Sequence, residues 1–239
     1  MRTLSICSGV GGLDLGIRIA VPDARAVCYI EREAYAAAVL AARMEDGTMD
    51  QAPIVLDLRE FDGSPWRGEV DCIAAGFPCQ PVSLAGKGLA QEDERWLWDD
   101  VARVIREVEP RFVFVENVPG LVRRGLRGVV GDLAELGFDA EWSLFSAAAS
   151  GAPHLRKRLF LLASHPDSER PQIRQGIAGN PRQEQPAAIG TDWWVTEPDV
   201  GRVAHGIPHR VDRLRAIGNG VVPIVAARAW ITLMGRLVR

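Results

Sequence analysis

The feature of the sequence that most constrains its fold is a regular alternation of short apolar runs with segments of helical periodicity. The first run, residues 3–7, leads into the turn Ser8-Gly9-Val10-Gly11-Gly12, after which apolar residues recur at helical spacing. This order predicts an α/β fold with a mostly parallel twisted sheet covered by helices on both faces. The same patterns predict further strands at 27–30, 55–58, 70–75, 111–115, 142–147 and 158–163, and helices at 33–43, 96–108, 128–136 and 221–238.

One part of the chain differs from the rest in composition and periodicity. Residues 164 to about 200 contain five prolines and several glutamines without any sustained periodicity, which indicates a small loop-rich insert. We predict one main domain over residues 1–163, completed by a C-terminal helix within 218–239. The insert then occupies residues 164–217.

Composition and charge exclude several classes of protein. With 239 residues, of which 47% are hydrophobic and 25% charged, the chain has the composition of a globular protein and not of a disordered one. No apolar run approaches the roughly 20 residues of a membrane helix, so we expect a cytoplasmic protein without a membrane partner. The net charge of −3 means that any site for a polyanion must be local, as in the basic clusters 123–127 and 154–158.

The four cysteines are predicted to be free thiols. They lie far apart in the sequence, without the close pairs of a zinc site or the density of a disulfide scaffold, and we expect no metal site. Cys72 stands inside an apolar run, which is typical of an inert buried thiol. Cys79 lies between Pro78 and Pro81 just after a predicted strand, so a rigid loop is expected to present a reactive thiol there.

Several residues suited to ligand binding fall at the predicted carboxyl ends of strands, where open α/β sheets bind their ligands. A glycine turn followed about 20 residues later by an acid suits an adenosine-containing cofactor, although a tight turn with a surface acid explains the same pattern. Asp14 replaces the third glycine of the dinucleotide motif, which disfavours a pyrophosphate. The strand-end residues are Gly9, Glu31, Asp57, Cys79 and Glu116.

Taken in order, the motifs of the chain resemble those of the C5-cytosine-specific DNA methyltransferase family. The resemblance covers residues 3–163 and about 201–239, and it implies the Rossmann-like fold of S-adenosylmethionine-dependent methyltransferases, with 164–217 as a small target-recognition insert. The matching segments are Ser8-Gly9-Val10-Gly11-Gly12-Leu13, Glu31, Asp57, Gly76-Phe77-Pro78-Cys79-Gln80, Glu116-Asn117-Val118, Arg156-Lys157-Arg158 and Gly218-Asn219. Three positions depart from the family pattern: Ser5, Cys7 and His154.

The resemblance implies a reaction in which C5 of cytosine in double-stranded DNA accepts a methyl group from S-adenosylmethionine. Cys79 would add as thiolate to C6 and so activate C5, after the target nucleotide has been flipped out of the duplex. Glu116 would hold N3, while Arg158 with Arg156 would bind O2 and steady the loop.

The resemblance also implies residues for the two ligands. The cofactor pocket would be lined by Cys7, Gly9, Val10, Gly12, Glu31, Arg32, Asp57, Leu58, Pro78, Leu97, Asn219, Gly220 and Val221. DNA contacts are expected from Gln80, Ser83, Lys87 and Arg95. A cognate restriction endonuclease or an additional DNA-recognition chain would be a further partner, and a monomer is expected because flipping one base needs no two-fold symmetry.

Two alternatives stay open at this stage. The residues alone do not distinguish a flipped deoxycytidine from a cytidine whose 2′-OH is also bound, so methylation of RNA is one alternative. A nucleoside-binding module without turnover is the other.

Overall fold

A computed structural model describes residues 1–78, 97–166, 168–169, 171–174 and 210–237, and every structural statement below concerns these residues. They form a seven-stranded sheet in the order β3-β2-β1-β4-β5-β7-β6. The strands are β1 Arg2–Ile6, β2 Arg25–Ile30, β3 Ile54–Val55, β4 Cys72–Ala75, β5 Phe112–Asn117, β6 Asp139–Ser146 and β7 Lys157–Ser164. The helices are α1 Gly12–Ala20, α2 Ala34–Glu45, α3 Trp98–Val108, α4 Leu121–Arg124, α5 Leu126–Glu135, α6 Arg210–Asn219 and α7 Pro223–Met234.

The directions of the strands gather many chain segments at one edge of the sheet. Strands β1 to β5 are parallel, whereas β7 is antiparallel to both of its neighbours, β5 and β6. The carboxyl ends of β1 to β5 therefore share an edge with the amino end of β7, where Asn117 pairs with Leu159. We call this the carboxyl edge. The parallel arrangement of β1 to β5 confirms the predicted α/β fold with a mostly parallel sheet.

The two faces of the sheet are covered by separate apolar clusters. Strands β4 and β5 are buried along their whole length, as expected of central parallel strands with continuous apolar runs. Helix α3 covers one face with apolar residues at helical spacing, among them Trp98, Val101 and Ile105. Helices α1 and α7 cover the other face.

The contact between α1 and α7 depends on small residues. A Cβ added at Gly16 would lie 2.5 Å from the Cβ of Ala226, so only glycine allows this close approach. Further along α7 the buried Trp230 meets the ring of Phe114 edge to face, with 5.1 Å between ring centroids. This packing fixes the start of α7 beside the carboxyl edge.

Most of the predicted elements are confirmed, but the bounds of several differ from the predicted ones. The predicted strand at 70–75 begins only at Cys72, and the strand at 55–58 is confined to Ile54–Val55. The predicted helix at 221–238 begins at Pro223, because Val222 is extended and Pro223 occupies the first turn, and it ends at Met234.

Helix α6 was not among the predicted elements. It runs from Arg210 to Asn219 and crosses the boundary that the sequence suggested between insert and C-terminal helix. Its apolar residues Val211 and Ile217 are 77% and 75% exposed, and charged residues stand between them, so the apolar pattern of this helix is weak. The division of the chain into domains stays a prediction, since most of the insert lies outside the described residues.

One segment of the described chain, Val211–Met234, has the length and composition of a membrane-spanning helix. It is not one continuous helix, because it is divided between α6 and α7 at Gly220–Val222. The side chains of Trp230 and Leu233 are fully buried in the core. The apolar character of α7 is therefore accounted for by its packing against the sheet and against the neighbouring helix α1.

Candidate active site

The glycine turn after β1 forms one wall of the site. Gly9 and Gly11 have positive φ angles of 56° and 79°, a conformation that favours glycine. A Cβ added at Gly9 would meet no atom within 4 Å, so the space above this residue is open. At Gly12 an added Cβ would overlap the carbonyl oxygen of Val221, which places the segment before α7 directly against the turn.

Glu31 ties the end of β2 to this turn. Its side chain is buried, and its Oε2 accepts a hydrogen bond of 2.6 Å from the backbone N–H of Gly9. Its Oε1 accepts a bond of 2.7 Å from the N–H of Glu33. Each carboxylate oxygen has further accepting capacity, so the carboxylate both orders the turn and can bind a hydroxyl group placed above it.

Other residues predicted to bind the cofactor lie at the ends of neighbouring elements. Asp57 follows β3 and is half-buried, with Oδ1 accepting a bond of 3.0 Å from the N–H of Arg59. Leu58 is buried, and Leu97 is half-buried immediately before α3. Arg32 and Asn219 are exposed.

The pKa of each thiol among the described cysteines is raised above its ordinary value. Burial, together with the negative charge of Glu31, raises the pKa of Cys7 to about 12. Burial raises the pKa of Cys28 to about 11 and that of Cys72 well above its ordinary value. Cys72 is fully buried, as its apolar run predicts. Cys79, with Gln80, Ser83, Lys87 and Arg95, lies outside the described residues, so these predictions stay open.

Asn117 connects the end of β5 to the segment that leads to Cys79. Its buried side chain donates a hydrogen bond of 3.0 Å from Nδ2 to the carbonyl oxygen of Phe77, and its Oδ1 accepts one of 2.8 Å from the N–H of Val118. The ring of Phe77 packs against Trp98 with 5.6 Å between centroids. In the sequence Asn117 belongs to a recognised motif, but no role was predicted for it. Its position at the end of a predicted strand was the signal that could have indicated a role at the site.

Glu116 is a buried acid beside a cation. The Nε of Arg158 lies 3.1 Å from Glu116 Oε1, but its N–H does not point at that oxygen, which has no hydrogen-bond donor among the described residues. Burial raises the pKa of Glu116 to about 7, and the nearby charges of Arg158 and Arg156 only partly offset this effect. At neutral pH this carboxyl therefore exists in both protonation states.

Arg156 contacts a segment that the sequence did not connect to it, and its role at the substrate stays a prediction. The sequence paired it with Arg158 at the substrate, but its guanidinium donates two hydrogen bonds of 3.0 Å to the carbonyl oxygen of Gly218. It donates another to the carbonyl oxygen of Gly220. Arg158 contacts Glu116, whereas Arg156 holds the segment between α6 and α7.

A second buried acid lies behind the glycine turn. Asp14, in the first turn of α1, accepts a bond of 2.9 Å from the hydroxyl of Ser5, while its Oδ1 has no partner among the described residues. Burial raises the pKa of Asp14 to about 6. In the sequence, Asp14 replaces a motif glycine and Ser5 departs from the family pattern. In the structure these two residues form one hydrogen bond.

Comparison with known proteins connects this geometry to a family. Residues 1–194 match the family described as C-5 cytosine-specific DNA methylase. The Type II methyltransferase M.CviJI of Paramecium bursaria Chlorella virus IL3A is 34% identical over 225 residues, which are 93% of this chain and 56% of that protein. The Type II methyltransferase M.NgoMIV of Neisseria gonorrhoeae is 34% identical over 165 residues, covering 67% of this chain and 51% of that protein. The chain thus spans about half the length of these relatives.

Solved structures share the fold. A mutant of Spodoptera frugiperda DNMT2 aligns with a TM-score of 0.58 at 20% identity, covering 73% of this chain and 53% of the other. The Entamoeba histolytica methyltransferase EhMeth aligns with a TM-score of 0.59 at 18% identity, covering 75% of this chain and 60% of the other. These alignments confirm the predicted Rossmann-like fold.

Proposed function

The chain belongs to the C-5 cytosine-specific DNA methylase family, and from this premise we propose that it transfers a methyl group from S-adenosylmethionine to C5 of cytosine in double-stranded DNA. The observation that carries the proposal is the buried carboxyl of Glu116 beside Arg158, at the end of the strand next to the one that leads to Cys79. A half-protonated acid and a fixed cation suit a ring that gains negative charge during a reaction.

The residues around the glycine turn fit an adenosine-bearing cofactor. The space above Gly9 is open, the buried carboxylate of Glu31 borders it, and Asp57 stands half-buried at the next strand end. Glu31 would accept hydrogen bonds from ribose hydroxyls, and Asp57 would accept one from the adenine amino group. S-adenosylmethionine supplies an electrophilic methyl group when bound.

Cys79 is the proposed nucleophile. It follows Phe77 by two residues, so covalent geometry keeps their Cα atoms within about 7 Å, and Asn117 holds the Phe77 carbonyl beside Glu116. The thiolate would form a bond to C6 of cytosine, which moves the electron pair of the C5–C6 bond to C5. After C5 has accepted the methyl group, loss of the C5 proton to a base restores the double bond and expels the thiolate.

Glu116 and Arg158 would stabilise the ring during the addition. Negative charge from the attack spreads to N3 and O2 of the pyrimidine. Protonated Glu116 can donate a hydrogen bond to N3, and the guanidinium of Arg158 can donate to O2. The pKa of Glu116 near 7 matches this use, because a general acid works best when its pKa is close to the operating pH.

The reacting carbon is inaccessible inside a stacked duplex, so the target nucleotide must be flipped out. We propose that Gln80, Ser83, Lys87 and Arg95 contact the DNA around the vacated position. Because the chain is short compared with its relatives, recognition of the target sequence by residues 164–217 or by a further protein chain is also part of the proposal.

Incubation of the protein with labelled S-adenosylmethionine and either duplex DNA or transfer RNA tests the function directly. We expect 5-methylcytosine in the DNA and a covalent complex with DNA that contains 5-fluorocytosine, because fluorine does not leave as a proton. Cys79→Ser should abolish both signals. Normal methylation by that variant would contradict the mechanism, and methylation of RNA alone would contradict the substrate.

A further inference from the structure

The guanidinium of Arg156 donates three hydrogen bonds to the backbone of a distant segment. Its hydrogen bonds reach the carbonyl oxygens of Gly218 and Gly220, more than 60 residues further along the chain. A planar fork that meets two carbonyl groups fixes both their distance and their orientation. Arg156 therefore determines where the segment between α6 and α7 lies relative to the start of β7.

The backbone of Arg156 supports the same conclusion. It has a φ of 28°, a conformation that residues other than glycine rarely adopt. Such strain persists only where the surrounding contacts impose it. The strained residue immediately precedes β7, so the chain turns there in a way that directs this side chain to the carbonyl groups.

The segment that Arg156 holds is in contact with the glycine turn. The carbonyl of Val221 fills the space that a side chain at Gly12 would need, and a Cβ at Gly220 would lie 3.8 Å from the side chain of Val10. On the other side, Arg158 follows Arg156 by two residues and reaches Glu116. A continuous series of contacts therefore links the glycine turn to the buried acid.

We propose that Arg156 is a positioning residue that couples the cofactor pocket to the pyrimidine site, and that it does not bind the pyrimidine itself. The proposal rests on the proposed function, since it assigns ligands to the two ends of this series. Cofactor binding then depends on Arg156 even without DNA. A direct contact between Arg156 and the base would leave cofactor binding unchanged.

The test is Arg156→Gln, which removes the charged fork but keeps one amide donor. In the wild type the amide of Gly220 donates a hydrogen bond of 2.8 Å to the carbonyl of Ala216. Loss of the Arg156 contacts should weaken this bond, so in hydrogen exchange without ligands the peptide over residues 216–222 of the variant should exchange faster. Calorimetry without DNA should show S-adenosylmethionine binding weakened about tenfold, which is within the usual range of coupling between sites. Arg156→Lys keeps the charge and should give an intermediate loss.

Arg228→Gln is the matched control, since Arg228 donates to the carbonyl of Ala149 and to the hydroxyl of Ser150 but not to Gly218 or Gly220. An equal loss of cofactor affinity in this control would overturn the proposal. Unchanged exchange and cofactor affinity in Arg156→Gln, with a lower kcat on DNA at saturating cofactor, would also overturn it. If the wild-type protein binds no cofactor, the proposed function fails, and the exchange experiment still decides the role of Arg156. Arg156→Lys provides the same comparison if Arg156→Gln does not fold.

Discussion

At the scale of single residues, the protonation state of Glu116 controls what the site can do. Its pKa of about 7 lies above the ordinary value for an acid because burial disfavours the charged form. The protonated form is present below pH 7 and is lost as the pH rises through this value. A reaction that needs this proton must therefore slow on the alkaline side.

We expect the rate of methyl transfer at saturating substrates to decline above about pH 7 through loss of this proton. Glu116→Gln should lower the rate about 100-fold, the usual order for a general acid, and should abolish the alkaline decline. Single-turnover rates between pH 6 and 9 measure both effects. Glu135→Gln, an exposed acid on α5, is the control, and an unchanged alkaline decline in Glu116→Gln would exclude this role.

Asp14 gives a prediction about stability. Its pKa of about 6 in the folded protein exceeds the ordinary value of about 4, so folding is penalised once the acid ionises. The penalty is absent below pH 4, grows between pH 4 and 6 and is complete above pH 6, where it reaches about 3 kcal/mol. The free energy of unfolding of Asp14→Asn, relative to the wild type, should therefore rise over this range. Urea titrations measure it, and a flat difference would contradict the assignment.

The residues at strand ends could be predicted from sequence, but their partners could not. Gly9, Glu31 and Glu116 follow from the alternation of strands and helices, because carboxyl ends of parallel strands share one edge. The bond between Ser5 and Asp14 and the contacts of Arg156 depend on how separate elements pack. No local pattern encodes them.

At the scale of elements, β4 and β5 are joined at the carboxyl edge by one amide side chain. Asn117→Asp keeps the oxygen that accepts from Val118 but removes the donor to the carbonyl of Phe77. We expect the rate of adduct formation with 5-fluorocytosine DNA to fall at least tenfold, with cofactor affinity unchanged. Quench-flow trapping and calorimetry measure the two quantities. An equal loss of cofactor affinity would show that Asn117 does more than place the segment before Cys79.

The turn between β1 and α1 gives another prediction. Gly9→Ala and Gly47→Ala both place alanine at a positive φ with no atom near the new methyl group, so each should cost about 1 to 2 kcal/mol of stability. The methyl group at residue 9 would enter the open space assigned to the cofactor, and that at residue 47 would not. We therefore expect weaker S-adenosylmethionine binding, measured by calorimetry, in Gly9→Ala alone. Equal cofactor affinities in the two variants would show that the cofactor does not bind in the space above Gly9.

Helix α6 shows where element prediction fails. Its apolar residues Val211 and Ile217 face solvent, and the charged residues between them leave only a weak apolar pattern. Helices α3 and α7, which cover the sheet, could be predicted from their apolar residues. Burial against the sheet, and not helix formation itself, is what the sequence pattern reports.

At the scale of the whole molecule, a chain with a net charge of −3 would bind DNA, the proposed substrate, through a local surface. Arg123 and Arg127 are exposed in the segment that follows β5 at the carboxyl edge. We expect Arg123→Gln with Arg127→Gln to weaken binding to any duplex. The slope of log K against log salt should fall by about 0.9 for each lost phosphate contact.

The matched control for that experiment is Arg106→Gln with Arg236→Gln. These arginines are exposed near the ends of α3 and α7, on the side of the sheet opposite the carboxyl edge. Fluorescence anisotropy at several salt concentrations compares the two double variants. Equal slopes would show that the segment after β5 does not face the phosphates.

The raised pKa values of the described cysteine thiols have a practical consequence for chemical labelling of the protein. At neutral pH an electrophile such as a maleimide finds almost no thiolate at Cys7, Cys28 or Cys72, because burial raises the pKa of each. Cys79 is the remaining cysteine of the chain. Mild alkylation should therefore attach one label per chain, which offers a direct way to place a fluorophore or a cross-linker on the proposed nucleophile.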